Sequence, residues 1–595
     1  MKAGHGFEPE APESLFLGLG GGTALVTAMT GESKKELTQE RGASVDSNQH
    51  NSGSPSSTSG SLSRRGFLGR VGTSTAVVAA GASMPSLLAR EGTSAEEIEP
   101  INDQQRRNQA YQVRHQTAVA EKNIPLPPHP TNGDEDLYTN KIGNYSKALP
   151  HNSLGEVDTS AYDAFFFALT SGNPSDFEAI PLGGTVKLVN PQASYAFLLE
   201  GVDSHARGMV APPAFASLEQ AGEMAEDYWM ALTRDMPYSQ YGIEPLTQAA
   251  IVDLNAFPNY AGVNAGSLFR GVTTGDLTGP FVSQFLLQNV PYGATTIVQQ
   301  YRVPLPGTGN DFLTGYEAWL NCQNGAKPTT KITYDPTPRY IRSGRDLGEW
   351  VHQDFPYNGS LNALLILLGM KATVDAGNPY LSSATQTGFV TFGQPMYFDL
   401  FARVCEDSLK ATWFQKWLVH RRVRPEAFAG SVHNTLTGAA NYPISPLLLH
   451  SRAVKQVFNT YGSYLLPMAY PEGCPAHTSY PAGHAVIAGA CVTVLKALFD
   501  ESFAIPNPVV ASDDGLSLLP YSGSLLTLGN ELNKLASNIA LARDVAGVHW
   551  RSDGIQGLLL GEAVAISVLK DYRTTYNEPF SSFSLTKFDG TAITV

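Results

Sequence analysis

Two histidines flank a Tyr-Pro-Ala-Gly sequence in the stretch "AHTSYPAGHA": His477 and His484, seven residues apart. An imidazole changes its charge near neutral pH, so it can transfer protons or bind a metal. Gly483 directly precedes His484, and an apolar run typical of a helix follows. The first backbone N–H groups of a helix are free to bind an anion. The stretch therefore predicts one wall of an anion site, with a proton-transfer group beside it.

Two further segments carry cations. Lys416 and Arg424 lie in "KWLVHRRVRP", eight residues apart, so on one helix both could reach a common point. Arg543 and His549 lie in "ARDVAGVHWRSD", where Gly547 allows the backbone to turn. Arginines chelate paired oxygens and lysine adds a point charge. Taken alone, Lys416 would be expected at the surface, but the combination favours a cradle for a compact, multiply charged oxyanion.

These residues must be positioned by helices. Apolar spacing predicts helices in 217–238, closed by Pro237, in the segment after a turn at 356–359, and in a segment stopped by Pro425. Two Ala- and Gly-containing helices are predicted in 484–501 and 552–572, and their small residues indicate close packing. Strand-like alternation is sparse, as at 184–189. The predicted fold is mainly α, with helical bundles, long loops and little sheet.

Composition limits the function further. The chain has 595 residues, 42% of them hydrophobic and 16% charged, with a formal net charge of −14. Such an acidic chain is not expected to bind nucleic acid, which needs a basic face. The four cysteines form no C-x-x-C pair, so a zinc site is not expected. They could form one or two disulfides in an exported protein or remain buried thiols.

The first hundred residues differ from the rest. Residues 1–62 are predicted to be a disordered leader. Residues 63–95 contain Arg64–Arg65, Phe67 and a weakly apolar run, which resembles a twin-arginine export signal and predicts a periplasmic or extracellular protein. A short buried helix is the alternative. Residues 100–595 are predicted to form the catalytic domain, with the active-site half at about 340–575. No other segment offers about 20 uninterrupted apolar residues, so an integral membrane protein is not expected.

Together, the three segments resemble the vanadium-dependent haloperoxidases, and specifically their algal bromoperoxidase branch. The resemblance covers most of the chain after the signal-like segment. It extends to two other stretches, "NGDEDLYTNKIGNYSKALPHNSLGEVD" at 132–158 and "FRGVTTGDLTGPFVSQFL" at 269–286, and within the third segment it includes "HWRSD" at 549–553. The family has a helical fold and shares its anion pocket with the acid phosphatases and type 2 phosphatidic acid phosphatases.

The resemblance implies a vanadate cofactor. Lys416, Arg424, Arg543 and the N–H of Gly483 match the positions that bind the vanadate oxygens, and His549 matches the position that binds vanadium. His484 matches the acid–base histidine. The implied enzyme uses hydrogen peroxide to oxidise bromide, iodide or both to a hypohalous-acid equivalent, which halogenates a small organic acceptor. A homo-oligomer is expected by the same resemblance.

Further residues are assigned by position. His477 matches a second histidine of the bromoperoxidases that influences the halide step or peroxide protonation, although a structural role is the alternative. Trp413 is a halide-side candidate, with core packing as the alternative. Asp354 is a candidate for a carboxylate that orients Arg or His. Asp553 could support His549 in the same way, or could simply cap or pair locally with Arg551. The family usually carries serine before the Gly–His pair, whereas this chain has Ala482.

Two other functions remain open at this stage. A phosphatase could use the same pocket, with His549 as the nucleophile that forms a phosphohistidine and His484 as the acid that protonates the leaving group. A binding protein without catalysis is the third reading. The sequence leaves open the preferred halide, the acceptor, the effect of Ala482 and the size of the oligomer.

Overall fold

The computed structural model describes residues 103–595. The predicted leader (1–62) and the predicted signal segment (63–95) lie outside the described residues. The chain divides into two compact units, Met1–Gln112 and Val113–Val595. Of the first unit only residues 103–112, the start of a helix, are described. The extent of the catalytic domain, 100–595, stays a prediction.

The described residues form sixteen α-helices. They are α1 Asp103–Lys122, α2 Asp134–Leu137, α3 Thr159–Ser171, α4 Pro174–Glu178, α5 Leu218–Thr233, α6 Pro245–Leu254, α7 Tyr316–Gln323, α8 Gly344–Gln353, α9 Asn358–Met370, α10 Gln394–Trp413, α11 Pro425–Thr437, α12 Pro446–Leu449, α13 Arg452–Tyr461, α14 Gly483–Leu498, α15 Leu528–Val545 and α16 Arg551–Arg573. A π-helix, Phe414–His420, continues α10. Short 3-10 turns lie at Pro191–Tyr195, Ser204–Ala206, Tyr238–Gln240, Pro258–Tyr260, Gln284–Leu286, Thr308–Asn310 and Pro379–Leu381.

The sheet content is small. Three antiparallel hairpins pair β1 Val290–Tyr292 with β2 Thr295–Ile297, β3 Val509–Ala511 with β4 Leu518–Pro520, and β5 Ser584–Thr586 with β6 Ala592–Thr594. The prediction of a mainly helical fold is confirmed. The strand-like pattern at 184–189 was misleading, because the N–H groups of Thr185 and Val186 both donate to one carbonyl, that of Gly325, and no strand pairs with the segment.

Helix ends differ in detail from the predictions. Helix α5 begins after Ser217, whose side chain accepts a hydrogen bond from the N–H of Gln220, as expected for an N-cap. It ends at Thr233, four residues before the predicted stop at Pro237. Helix α9 follows the predicted turn and starts after Tyr357, which adopts a left-handed conformation with φ 56°.

Helices α14 and α16 are in direct backbone contact. A β-carbon on Gly561 would lie 2.0 Å from the carbonyl oxygen of Val486, and one on Gly489 would lie 2.4 Å from that of Leu558. No side chain larger than hydrogen fits at these two positions, which confirms the predicted close packing. Because the N-termini of these helices carry His484 and Asp553, the contact fixes the two ends relative to each other.

Three apolar clusters surround the site segments. The first is built around α10, α14, α15 and α16 and includes Ala482. The second, around α5, α6, α11 and α13, includes Val548 and Trp550. The third, around α3 and the π-helix, includes Trp413. Each of the three clusters contains residues that lie next to predicted site residues in the sequence. The site therefore lies where the three clusters meet.

The cysteines and the most apolar long helix are both buried. Cys322, Cys405, Cys474 and Cys491 are all buried and free, so the disulfide alternative is wrong for this fold. Helix α16 is long and apolar enough to cross a membrane, but 67% of its most apolar window is buried inside the protein. Burial of that kind is typical of a core helix.

Candidate active site

Three buried cations form the centre of the site. Lys416, Arg424 and Arg543 are 0%, 1% and 4% exposed. Among the described residues 103–595, none of the three forms an ion pair, although Arg421 and Arg422 beside them do. The Nζ atom of Lys416 donates to two backbone carbonyls instead, those of Thr478 (2.7 Å) and Ser479 (2.6 Å). A buried cluster of positive charge without a carboxylate counter-ion is costly unless an anion binds there.

Lys416 and Arg424 do not lie on one helix, so that prediction was wrong. Lys416 belongs to the π-helix, which ends at His420. Arg421 then takes a left-handed conformation with φ 41°, and Arg424 has extended backbone. Pro425 does not stop the helix but begins α11, where its fixed φ and missing N–H suit the first position. The chain reversal, and not helical spacing, brings the two cations together.

Arg424 joins two of the predicted segments. Its Nε donates to the carbonyl of His477 (2.9 Å), and its Nη2 lies 3.0 Å from Nδ1 of the same residue. Its Nη1 donates to the carbonyl of Val548 and lies 3.0 Å from Nε2 of His549. Arginine can only donate, so both ring nitrogens accept. Nδ1 of His477 therefore cannot donate to the Thr478 carbonyl 3.1 Å away.

Arg543 comes from the last turn of α15 and is the least constrained of the three cations. Its Nη1 donates to the carbonyl of Val351 at 3.3 Å, and its buried Nε has no hydrogen-bond partner within residues 103–595. Its guanidinium carbon lies 5.7 Å from the centre of the Tyr470 ring, within cation–π range. Gly547, with φ 80°, then turns the chain as predicted and leads to His549.

The electrostatics of the site favour an anion. Burial lowers the pKa of Lys416 well below its usual value, and the positive charge of Arg424 lowers it further. Burial also lowers the pKa of Arg424. For His477 and His549, burial and then Arg424 hold the pKa well below the usual range, so both rings are neutral at pH 7. A negative charge bound between these groups would stabilise their protonated forms.

Asp553 orients His549. Its Oδ2 lies 2.8 Å from Nδ1 of His549 and also accepts from the Ser479 hydroxyl and the Trp550 N–H. Its Oδ1 lies 2.8 Å from Nη1 of Arg422. A carboxylate only accepts, so Nδ1 of His549 carries the ring proton and Nε2 presents a lone pair towards the cations. Asp553 therefore contacts His549 and also caps α16 through the Trp550 N–H.

The N-terminus of α14 completes the cradle. Gly483 is its first residue, and a methyl group built on it would lie 3.8 Å from Trp413. His484 is partly exposed, and its Nε2 lies 3.1 Å from Oδ1 of Asp354, the residue that follows α8. The structure thus pairs Asp354 with the predicted acid–base histidine, next to the cations.

His477 and Trp413 lie side by side. Their rings are 5.1 Å apart and inclined by 38°. Trp413 also donates from its indole nitrogen to the carbonyl of Val189 (3.2 Å), so it is anchored on its outer side. Both residues border the cradle, His477 through Arg424 and Trp413 through Gly483.

Ala482 is fully buried and caps α14 without a side-chain hydrogen bond. The neighbouring hydroxyl groups do not replace a serine here. Thr478 donates to the carbonyl of Lys416 (3.0 Å), and Ser479 donates to Asp553. The cradle therefore lacks a side-chain hydroxyl at this helix start.

Sequence reasoning missed a network behind Arg543. His352 lies between Glu349 (Nδ1 to Oε2, 3.2 Å) and Glu472 (Nε2 to Oε1, 2.7 Å). Its ring stacks on Tyr470 at 3.8 Å, and Tyr470 faces Arg543. The pattern "EWVHQD" places Glu349 and His352 one helical turn apart, which was the available signal.

This network predicts a pH-dependent stability. Burial disfavours the charged ring of His352, but Glu349 and Glu472 outweigh it and raise its pKa from 6.5 to about 9. The folded pKa exceeds the unfolded one, so the stabilisation is complete below pH 6.5 and is lost as pH rises through 9. His352→Gln should lower the free energy of unfolding by about 2–3 kcal/mol at pH 6 and by much less at pH 10.

Chemical denaturation at the two pH values measures this difference. His205→Gln, which removes a more exposed histidine paired with Asp203, is the control. A loss of stability in His352→Gln that is equal at pH 6 and pH 10 would contradict the assignment.

Comparisons with known proteins agree with the geometry. A family profile described as "VCPO second helical-bundle domain" matches residues 397–578. The vanadium-dependent bromoperoxidase of Ascophyllum nodosum is 37% identical over 493 residues, covering 78% of this chain and 87% of that protein. That of Corallina pilulifera is 33% identical over 596 residues, covering 83% and 99%.

A solved structure is also similar. It is the homohexameric second vanadate-dependent bromoperoxidase of Ascophyllum nodosum, with a TM-score of 0.79 and 30% identity, covering 88% of this chain and 94% of that one. Similarity of this extent, together with the buried cradle, identifies the family. The chain belongs to the vanadium-dependent bromoperoxidases.

Proposed function

We propose that this chain is a vanadate-dependent haloperoxidase that uses hydrogen peroxide to oxidise bromide, iodide or both. The product is a hypohalous-acid equivalent that halogenates organic acceptors. The observation that carries the proposal is the cluster of three buried cations without a carboxylate partner, placed around the Nε2 lone pair of His549. Its relatives, named as vanadium-dependent bromoperoxidases, support it.

The donor set fits vanadate. Lys416, Arg424 and Arg543 would bind its oxygens together with the N–H of Gly483, because each offers donors and no acceptor. The buried Nε of Arg543 has no partner without such an anion. Of the two site histidines that a carboxylate holds, His549 is the fully buried one and its Nε2 lies among the cations, so it would be the vanadium ligand.

The chain's own residues then have separate tasks. Bound vanadate would act as a Lewis acid that activates hydrogen peroxide. Asp553 keeps the proton of His549 on Nδ1. His484, partly exposed and held by Asp354, accepts and returns protons at the mouth of the site. Burial keeps water away from the three cations, which hold a fixed positive field where negative charge is bound.

His477 and Trp413 form the halide side in this proposal. His477 is neutral, and Arg424 donates to its Nδ1, so its Nε2–H is the donor available to a halide or to peroxide. Trp413 adds an apolar face beside it, which lowers the cost of removing water from a large, weakly hydrated anion.

One experiment separates this function from a phosphatase. Purified apo-protein is loaded with orthovanadate and assayed for bromide-dependent halogenation with peroxide. We expect halogenation that requires vanadate. If the protein only hydrolyses phosphate esters, and vanadate inhibits that hydrolysis, the haloperoxidase proposal is wrong.

Ala482 gives a prediction of its own. Ala482→Ser should place a hydroxyl at the start of α14 and tighten orthovanadate binding by roughly tenfold, since a hydrogen bond to a charged group contributes about 1.5–3 kcal/mol. The dissociation constant and the ratio of bromide to iodide turnover are measured for both proteins. Ala485→Ser, one turn into the same buried helix, is the matched control. Equal constants and equal halide ratios in all three proteins would show that the hydroxyl is dispensable.

Export and self-association complete the proposal. Arg64–Arg65 favours translocation by the twin-arginine route, which Lys–Lys replacement followed by cell fractionation tests. The similar bromoperoxidase of Ascophyllum nodosum is a homohexamer, which supports a homo-oligomer here. Light scattering on the purified protein measures its mass.

A further inference from the structure

An apolar cavity of about 250 Å³ lies between β1, α9 and α10. Its lining comes from β1, α9 and α10 and the residue before α9, and consists of Tyr292, Tyr357, Leu361, Leu365, Phe398 and Phe401. None of these side chains is charged. Tyr292 and Phe398 are 55% and 39% exposed, so the cavity opens to solvent. A cavity with apolar and aromatic walls and a few hydroxyl groups binds neutral apolar molecules.

The segment before α9 connects this cavity to the site. Asp354, bonded to His484, is three residues from Tyr357, so the chain limits their Cα atoms to about 10 Å. Between them lies Phe355, which is 51% exposed and meets the Tyr357 ring edge-on at 6.1 Å. Phe355 directly follows Asp354, which is bonded to His484. Its exposed ring therefore extends the apolar surface of the cavity towards the site.

Helix α10 gives a second, independent connection. A methyl group built on Gly483 would lie 3.7 Å from Leu409, which is partly exposed. Phe401 lies eight residues before Leu409 on the same helix, a rise of about 12 Å. Cys405 lies between Phe401 and Leu409 on this helix and is close to Tyr357. Burial raises the pKa of the Tyr357 phenol, and the Cys405 thiol raises it further. Each connection therefore joins the cavity lining to a residue beside the cradle over a short span, at most about 10 Å along 354–357 and about 12 Å along α10.

We propose that this cavity binds the organic acceptor, and that the acceptor is a neutral, apolar molecule with an electron-rich aromatic ring. This inference rests on the function proposed above. The hypohalous-acid equivalent, HOBr, would leave beside His484 and meet the ring at the cavity. A C–Br bond replaces a ring C–H bond, the proton is released, and the hydroxide of HOBr leaves with a proton as water. The net charge of −14 further disfavours anionic acceptors.

The test compares two acceptors on the vanadate-loaded enzyme. One is 2-methoxynaphthalene, neutral and aromatic, and the other is a small cyclic 1,3-diketone that needs no apolar cavity. Phe398→Asn should raise the KM for the naphthalene by about tenfold, the equivalent of roughly 1.4 kcal/mol of lost apolar contact, and leave turnover of the diketone unchanged. Phe167→Asn, on α3 and 60% exposed, is the matched control.

A direct binding measurement distinguishes failure of the cavity assignment from failure of the proposed haloperoxidase function. Titration of apo-protein with 2-methoxynaphthalene, followed by its fluorescence, should give saturable binding that Phe398→Asn weakens and Phe167→Asn does not. If binding behaves so but no halogenation occurs, the proposed function fails while the cavity assignment stands. An unchanged KM and unchanged binding in Phe398→Asn would overturn the assignment. A change in the mass of the oligomer, with both acceptors affected equally, would overturn it in favour of an interface between copies of this chain.

Discussion

Arg424→Met should weaken orthovanadate binding by about a hundredfold or more. Arg424 is the cation that touches both His477 and His549, and methionine keeps its apolar stem while removing every donor. Loss of two charge-assisted hydrogen bonds to an anion, each contributing about 1.5–3 kcal/mol, accounts for this magnitude. Equilibrium dialysis with vanadium quantification measures the dissociation constant without relying on activity.

The chain provides a nearby control. Arg421 is three residues away and pairs with Glu135 outside the cradle. The double variant Arg421→Met, Glu135→Gln removes a buried arginine together with its partner, so no buried charge is left unpaired. We expect it to bind orthovanadate like the unmodified protein. Wild-type affinity in Arg424→Met would remove Arg424 from the anion site.

Asp553→Asn should both destabilise the fold and weaken the cofactor site. Four donors converge on this carboxylate, from Arg422, His549, Ser479 and Trp550. The asparagine side chain would have a single accepting oxygen. Its NH₂ group would therefore face hydrogen-bond donors that an oxygen of Asp553 now accepts from. We expect a loss of about 3–5 kcal/mol in the free energy of unfolding and a 10–100-fold weaker orthovanadate complex.

The same substitution nine residues earlier should have the opposite sign. The carboxyl oxygens of Asp544 are buried without a hydrogen-bond partner, and burial, followed by the charge of Glu226, raises its pKa well above the usual range. Asp544→Asn replaces a group that is costly to ionise and should leave stability unchanged or raise it. Chemical denaturation of both variants at pH 7 measures their free energies of unfolding. Equal losses of stability in Asp553→Asn and Asp544→Asn would contradict this assignment of the two carboxyl groups.

The cations and histidines of the site could be predicted from sequence because lysine, arginine and histidine seldom occur together at these spacings. Gly547 could be predicted as a turn because glycine readily adopts φ 80°. The start of α14 followed from the apolar run after Gly483. In each case the signal is local, within a few residues of the group that it positions.

Other features are not local. Seven residues of apolar pattern do not distinguish a π-helix from an α-helix, so the widened turn at 414–420 was missed and Lys416 was placed on a helix with Arg424. Asp553 and His352 each also have a partner that is distant in sequence: Arg422 is 131 residues from Asp553, and Glu472 is 120 from His352. No spacing rule within one chain connects such pairs.

The glycine contacts between α14 and α16 bear on how the site distinguishes one oxyanion from another. With backbone against backbone at Gly489 and Gly561, the two helices cannot come closer together around a smaller guest. Phosphate, arsenate and vanadate are tetrahedral in solution and satisfy the same donors. His549 would then distinguish vanadate from the other two, because its imidazole would bind the metal directly. Phosphate in the surrounding medium would therefore compete for the empty cradle and slow reloading, without displacing a cofactor already bonded to the imidazole.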